Sequence, residues 1–347
     1  MPDLYVTNFN RNFTGVSATA ANVIRQQVNA HDLRLVGHAL PGAPAPISKA
    51  AAKTLSRTPP PDRDFAIWHV RRNPEMQTAI WARDVLRLPI RIVFTSAAQR
   101  LHSAYPRWLI RKMDAVIATT DRAADFVPHV RGVVPHGVDT DLFTPAENRA
   151  NAWAALGYGG TMGIATVGRI RPEKGTDLFV ESMLHLLPDM PDAVALVIGR
   201  AAKEHQGFLN RLKSRISGAG LQDRILFIGE TAPDALPALM RALSLVVQLP
   251  RYEGYGMVPL EGMASGVPFV GSDAGYYTAF GAQGKTGTIV AQEDAKAAAE
   301  AANAILSDRV RHAAMAKSAR IVAEKSFSAA AEAAGIEQVY QDMWAGR

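Results

Sequence analysis

The chain has 347 residues, is 48% hydrophobic, contains no cysteine and carries a formal charge of +6. That length exceeds one ordinary domain and fits two α/β domains, each with enough apolar material for a core. The lack of cysteine excludes disulfides and thiolate chemistry, and no apolar run is long enough to cross a membrane as a helix. The charge is uneven: residues 1–150 hold 19 Lys and Arg against 12 Asp and Glu, and the rest holds 19 against 20. A basic first half predicts an acidic partner, an anionic lipid surface or an acidic glycan. No nucleic-acid motif accompanies it, so nucleic acid is not expected. The opening MPDLYVTNFN lacks the basic start and apolar core of a signal peptide, which predicts a cytoplasmic protein.

In chain order, residues 4–7 predict a strand, followed by a polar loop over 8–15 that contains Phe13, Thr14 and Gly15. Ser17 then caps a helix over 18–30. Strand, Gly-bearing loop and helix make the first unit of a doubly wound sheet, where ligands bind at the loop. Residues 33–36 predict the next strand, and the Pro-, Ala- and Lys-rich stretch 38–63 predicts a mobile loop with one helical turn. Strand 65–69 runs into His69, Arg71 and Arg72, at the edge where open α/β sheets bind ligands and where guanidinium pairs suit carboxylate or phosphate. Strand 90–94 ends in Thr95 and Ser96. Beyond it Arg100, Arg107 and Arg111 recur at i, i+7 and i+11, with Leu101, Tyr105, Trp108 and Leu109 on a neighbouring face. A helix so striped, with Lys112 following, suits an anionic membrane surface, although Pro106 interrupts the pattern. Strands at 115–118 and 132–134 complete the first sheet.

The stretch 135–145 reads as a connection between domains. It holds Asp139 and Asp141, and Asp62 and Asp64 form a similar pair, but the first lies in a proline-bracketed turn and the second in the predicted loop, so neither predicts a metal site. The alternation then restarts with strand 164–167, followed by a Gly-containing turn bearing Arg169 and Lys174 before a helix capped near Thr176 and Asp177. Cations flanking such a turn suit a diphosphate. Strands at 194–198 and 225–228 follow, the latter leading to Thr231.

Strand 243–249, the Gly turn Glu253-Gly254-Tyr255-Gly256, a helix with Pro259 in its first turn and strand 267–270 form the stretch that organises the rest. Its free N–H groups suit phosphate. Glu253 and Glu261 flank it, and carboxylates accept from hydroxyls. Together they suit a ligand with central phosphates and hydroxyl-rich ends, such as a nucleotide sugar. An Ala-rich helical region follows, and a last helix over 329–343 is expected to return to the first domain.

The motifs HGVDTDLF (136–143), VGRIRPEKG (167–175) and EGYGMVPLEGMASGVPFVGSDAG (253–275) together resemble the retaining glycosyltransferases of family four. WHVRRNPEM (68–76) and the stretch 94–122 resemble the branch that acts in lipopolysaccharide core biosynthesis as mannosyltransferases. The resemblance spans essentially the whole chain. It implies a GT-B fold, two Rossmann-like domains of doubly wound parallel sheet facing across a cleft: 1–145 for the acceptor, 146–325 for the nucleotide sugar, and 326–347 as a helix packing back on the first. It also implies a retaining, metal-independent transfer of mannose from GDP-mannose to the Kdo-containing inner core of a lipid-linked acceptor. The site would be the cytoplasmic face of the inner membrane, with no cofactor.

The resemblance implies roles as well. Glu253 would meet sugar hydroxyls; the turn of Gly254, Tyr255, Gly256 and Met257 would meet sugar and phosphate; Glu261 would hold the ribose; Arg169 and Lys174 would stabilise the leaving diphosphate. Thr231 would lie near the base and Gly15 in a loop over the phosphates. Arg71, Arg72, Arg100, Arg107, Arg111 and Lys112 would face the acidic acceptor or the membrane. One departure stands out: many members place a His just after the fourth strand of the first domain, where this chain has Phe94-Thr95-Ser96. His102 and His69 are the candidates to replace it. The second-half motifs also serve other donors, such as UDP-glucose or ADP-sugars, and other acceptors, and a silent nucleotide-sugar-binding module remains a third reading.

Overall fold

The computed structural model describes residues 1–12 and 14–347; Phe13, in the loop predicted after the first strand, lies outside the described residues. The chain forms two compact units, Met1–Gly137 with Phe327–Arg347, and Val138–Ser326. The first division falls between Gly137 and Val138, eight residues before the predicted boundary. Residues 138–145 go with the second unit, because Arg320 donates to the carbonyls of Thr140 and Phe143 at 3.0 and 2.7 Å and to that of Ala264 at 2.7 Å.

Unit 1 is a six-stranded, all-parallel sheet of β1 (Leu4–Asn8), β2 (Leu33–Gly37), β3 (Ala66–Val70), β4 (Ile90–Ser96), β5 (Ala115–Ala118) and β6 (Val130–Val133), in the order β2-β1-β3-β4-β5-β6. Alternate residues divide between its two faces. Leu4, Val6, Ile67, Val93 and Ile117 pack with Val23 and Ile24 of the helix Gly15–Gln27 and with Ile336, Val339 and Tyr340 of the C-terminal helix Ala329–Trp344. Tyr5, Trp68, Val70, Ile92 and Val116 pack on the other face with Met76 and Ala79 of the helix Asn73–Ile80 and with Leu109 and Ile110 of the helix Ala104–Ile110. Each such side chain, fully buried, contributes roughly 1.5–3 kcal/mol, so both faces need their helices.

Two predicted features differ. The stretch 38–63 carries an ordered helix, Lys49–Leu55, capped by Ser48, whose Oγ accepts from Ala51 N–H at 3.0 Å. Ile47 bridges to Val36, and Trp68 Nε1 donates to Ser56 Oγ at 3.0 Å. The basic helix starts only at Ala104, so Arg100 lies outside it and the i, i+7, i+11 stripe is not formed. Pro106 falls in the first turn, where its missing N–H has no intrahelical acceptor to lose.

Unit 2 repeats the architecture with β7 (Met162–Val167), β8 (Ala193–Ile198), β9 (Ile225–Gly229), β10 (Leu245–Gln248), β11 (Phe269–Ser272) and β12 (Gly287–Val290), ordered β12-β11-β10-β7-β8-β9 and parallel throughout. The edge strand β12 has no counterpart in the predicted strands. Phe179, Val180 and Met183 of the helix Thr176–Leu186 and Ala298, Ala302 and Ile305 of the helix Ala295–Leu306 pack against Ala195, Val197, Leu245 and Val247.

The C-terminal helix is fixed to unit 1 by polar clamps as well as by packing. His31 bridges Asp3 at 3.1 Å and Glu337 at 2.6 Å. Burial opposes its charge, but the two carboxylates prevail and raise its pKa from 6.5 to about 9. A raised histidine stabilises fully below its unfolded value and progressively less as pH rises through its folded value. Wild-type thermal stability should therefore fall between pH 6.5 and about 9. In His31→Ala this contribution to the slope should vanish, with a loss near neutrality of roughly 2 kcal/mol, measured by calorimetry across that range. An unaltered pH profile in the variant would show the bridge to be energetically idle.

Candidate active site

In parallel α/β sheets the loops at the C-terminal strand ends gather at one edge, and in unit 2 this edge holds most of the predicted donor-binding residues. After β7 the chain turns through Gly168 to Arg169, which is exposed and makes no ion pair among the described residues. Arg169 lines a groove with Ile170, Arg171, Arg200, Glu204 and Glu230. Thr231 follows Glu230 directly, so the predicted base and diphosphate contacts share one edge. Gly175, with φ of 67°, brings the next helix under the turn: a Cβ there would stand 1.8 Å from the Leu249 carbonyl oxygen.

The turn after β10 carries Glu253, Gly254, Tyr255 and Gly256, and the helix Met257–Ala264 follows. Gly256 has φ of 97°, and a Cβ there would lie 2.1 Å from the Tyr277 ring. Tyr255 is buried, its ring stacked on Tyr276 and edge-on to Phe280. Met257 opens the helix, whose first-turn N–H groups have no intrahelical acceptor. Glu253 Oε2 accepts from Lys174 Nζ at 2.6 Å, and its Oε1 from Gly254 N–H at 3.0 Å. The predicted diphosphate cation and the predicted sugar carboxylate are thus each other's partner. Glu261 sits on the same helix, and burial pushes its pKa up to about 7.

Sequence reasoning missed what fixes these loops to one another. Arg251 donates to both carboxylate oxygens of Asp177 at 2.9 and 2.8 Å, to Glu293 at 2.8 Å and to the Pro172 carbonyl at 2.6 Å. Its own N–H donates to the Glu173 carbonyl at 3.0 Å. A bidentate guanidinium fixes direction as well as distance, so the Lys174 turn and the Glu253 turn are held in register. Nothing local in the sequence marks Arg251, since its partners lie 42, 74 and 79 residues away.

In unit 1 the predicted residues separate. Gly15 opens the first helix, and a Cβ there would meet nothing within 4 Å, so the fold itself does not require a glycine. His102 Nε2 lies 3.5 Å from Ser96 Oγ, just beyond β4, and burial together with Arg100 lowers its pKa. His69 is the other candidate to replace the absent histidine. It is fully buried, with Nδ1 bonded to the Tyr340 hydroxyl and Nε2 to the Thr95 hydroxyl at 2.6 Å, and burial drives its pKa well below 6.5. Arg72, expected among the acceptor-facing cations, has its partners within unit 1. It donates to Asn8 and Glu75 at 3.1 Å each, to Thr14 at 3.2 Å and to Ser17 at 3.0 Å, tying the first helix to the end of β1.

Glu75, unmarked in the sequence reading, is the hub beneath this edge. Fully buried, it accepts from the N–H groups of Phe9, Arg71 and Arg72 and from the Thr7 hydroxyl at 2.8–3.1 Å.

Arg100, Arg111 and Lys112 are exposed and Arg107 half-buried. They adjoin large exposed apolar side chains: Leu101, Tyr105 and Trp108, with Trp81, Val85 and Leu86 at the end of the neighbouring helix. Tyr105 stacks on Trp108 at 6.3 Å and its hydroxyl is bonded by Gln77, while Lys53 lies 4.6 Å over the Trp81 ring. Among the described residues no helix is long and apolar enough to cross a membrane.

Residues 158–322 match the family model "Glycosyl transferases group 1". The chain is 42% identical over 318 residues to the lipopolysaccharide core biosynthesis mannosyltransferase LpsB of Rhizobium meliloti, covering 90% of this chain and 89% of that one. It is likewise 42% identical to LpcC of Rhizobium leguminosarum bv. viciae, described by the same activity, covering 89% and 88%. Among solved structures, the C-terminal domain of a group 1 glycosyltransferase (LpcC) from Francisella tularensis is 33% identical with a TM-score of 0.54, over 55% of this chain and 99% of that one. Anabaena HepE superposes with a TM-score of 0.82 over 98% of this chain and 100% of its own, at 16% identity, a likeness of fold.

The geometry makes Gly256 indispensable to the turn. Gly256→Ala should lower the stability of unit 2 by at least roughly 2 kcal/mol, from both the positive φ and the Tyr277 overlap. Urea unfolding measures this, and an unchanged midpoint would mean that the turn relaxes freely.

Proposed function

Since the chain belongs to the group 1 glycosyltransferases and has the paired parallel sheets of a GT-B-like fold, we propose that it transfers mannose from GDP-mannose, with retention, to the Kdo-containing inner core of a lipopolysaccharide precursor. The observation that carries this is the 42% identity to two lipopolysaccharide core mannosyltransferases, which extends over about nine tenths of the chain.

On this reading the donor's diphosphate takes Lys174 from Glu253 and adds Arg169, while the mannose hydroxyls take Glu253. Two cations beside the departing oxygens stabilise the charge that develops as the anomeric bond breaks, with no metal required. The acceptor hydroxyl attacks from the face the nucleotide leaves and passes its proton to the departing diphosphate oxygen, so the new bond to the anomeric carbon forms as the old one breaks and configuration is retained. Glu261 accepts from the ribose hydroxyls, the Gly254–Met257 turn meets sugar and phosphate, and Thr231 lies near the base.

The acceptor is acidic and lipid-anchored. Arg100, Arg107, Arg111 and Lys112, beside the exposed Trp81, Leu101, Tyr105 and Trp108, suit the anionic cytoplasmic surface of the inner membrane, with aromatic rings at headgroup depth. Neutralising Arg107, Arg111 and Lys112 together should reduce co-sedimentation with anionic vesicles in low salt. Equal binding by wild type and variant would remove the membrane from this reading.

The deciding experiment presents GDP-mannose, UDP-glucose, UDP-GlcNAc and ADP-heptose with EDTA present and follows binding and nucleotide release. Selective binding and slow hydrolysis of GDP-mannose are expected, and Lys174→Ala or Glu253→Ala should lower turnover by roughly 10²–10³-fold. Preference for a UDP- or ADP-sugar would overturn the donor, and binding without turnover when lipid acceptor is supplied would favour a silent module.

Glu261 adds a pH signature. Its pKa of about 7 means that it gains charge across neutrality, and the ionised form is the stronger acceptor. Donor affinity should rise from about pH 6 to about pH 8 in the wild type and stay flat in Glu261→Gln. Parallel profiles by calorimetric titration would take the ribose away from Glu261.

A further inference from the structure

Arg71 is the first residue after β3, at the edge of the unit 1 sheet where ligands enter. It is 8% exposed, yet its Nε and Nη1 atoms are buried and make no hydrogen bond among the described residues. Its neighbour Arg72 has four side-chain partners. Buried guanidinium groups are ordinarily paired, because an uncompensated charge away from water is costly.

The groups that act favourably on the Arg71 charge are Tyr340, Glu332 and Glu75, and each is committed elsewhere, Tyr340 through its hydroxyl to His69. Glu75 takes four donors from backbone N–H groups and Thr7, besides the Arg72 guanidinium. Glu332 accepts from His136 Nδ1 and Gly137 N–H, each at 2.7 Å. The buried His69 has both ring nitrogens bonded already, to the Tyr340 and Thr95 hydroxyls. A second orphan lies at the same sheet edge: the Thr119 hydroxyl, after β5, is buried without a partner among the described residues. By strand alternation Thr119 shares the parity of Ala115 and Ile117, and Arg71 that of Ile67 and His69, which places both on the face covered by the C-terminal helix. The Arg71 backbone, meanwhile, is pinned by its N–H to Glu75 at 2.8 Å. The side chain is thus anchored at its base and unsatisfied at its tip.

We infer that Arg71 is the seat of an anion-binding subsite that takes one carboxylate or phosphate group of the acceptor, a role distinct from that of the exposed surface cations. This deepens the acceptor reading above and rests on it. Arg71 supplies a directed, desolvated pair to one group of one ligand, whereas Arg100, Arg111 and Lys112 supply a diffuse field that salt screens.

The test uses the full chain with Arg71→Met, which keeps the volume and removes the charge, and Arg71→Lys, which keeps the charge and loses the fork. Thermal unfolding is followed at constant ionic strength in chloride, in inorganic phosphate and in glucuronate. The wild type should gain about 2–4 °C, saturably, at high anion occupancy. Arg71→Met should melt in chloride at or above the wild-type temperature, since removing an unpaired buried charge relieves strain, and should show no anion response. Arg71→Lys should respond at higher anion concentration. An Arg71→Met protein that melts several degrees lower in chloride, or that fails to fold, would make Arg71 a structural residue; equal anion responses in wild type and Arg71→Met would place the anion elsewhere. Either result overturns the proposal. GDP titration separates the two sources of anion: equal GDP affinity in wild type and Arg71→Met is expected, and a tenfold loss in the variant would assign Arg71 to the donor diphosphate and overturn the acceptor role. The anion responses require neither turnover nor GDP-mannose, so a mistaken donor leaves them readable.

Discussion

A fully buried carboxylate, Glu75, is the constraint on which the ligand edge of unit 1 depends. A parallel sheet must carry irregular loops at its C-terminal edge, and those loops bring polar backbone groups out of the strand ladders. Glu75 gathers the ends of β1 and β3 and the start of the helix Asn73–Ile80 by accepting from Thr7, Phe9, Arg71 and Arg72. Through Arg72 it reaches the first helix as well. Removing it would orphan several buried donors at once, which costs far more than a single lost hydrogen bond. Unit 2 meets the same demand with the opposite charge. Arg251 holds Asp177, Glu293 and the Pro172 carbonyl, and the two turns carrying Lys174 and Glu253 are spaced accordingly.

Most strands were legible because strands buried on both faces read as apolar runs bounded by Gly and polar turns. Residues 115–118 are one case, where sequence and structure give the same bounds. The edge strand β12 was not, since Gly287-Thr288-Ile289-Val290 has only two apolar residues and follows a Gly-Lys-Thr turn. The helix Lys49–Leu55 was hidden by flanking prolines; its definition comes from Ser48 and from Trp68, far along the chain. The striped helix failed for a local reason: Pro106 is well placed three residues into a helix and badly placed inside a longer one.

Side-chain chemistry was legible in kind and much less in pairing. The motifs marked Arg169, Lys174, Glu253 and Glu261 as a charged set on one edge, and the structure gathers them around the turns that follow β7 and β10. What residue type alone does not reveal is whether a charge is free. Arg71 and Arg72 are adjacent and chemically identical, yet one is saturated by residues 55 to 64 positions away and by Glu75, while the other ends in unpaired atoms. His69 looked available at a strand end and is consumed by Tyr340, 271 residues distant. Long-range pairing belongs to the tertiary structure and leaves no local spacing behind.

The contact between Lys174 and Glu253 has a consequence for selectivity against fragments. A solitary anion approaching Lys174 must displace a carboxylate already in place at 2.6 Å, and a plain polyol approaching Glu253 must displace an ammonium. Neither gains much, because each leaves a severed ion behind. A molecule that brings negative charge and hydroxyls together exchanges both halves in one step and leaves nothing unpaired. The ion pair is therefore a competitor built into the site, weak against the whole ligand and effective against either part, including whatever part remains once the two have been separated.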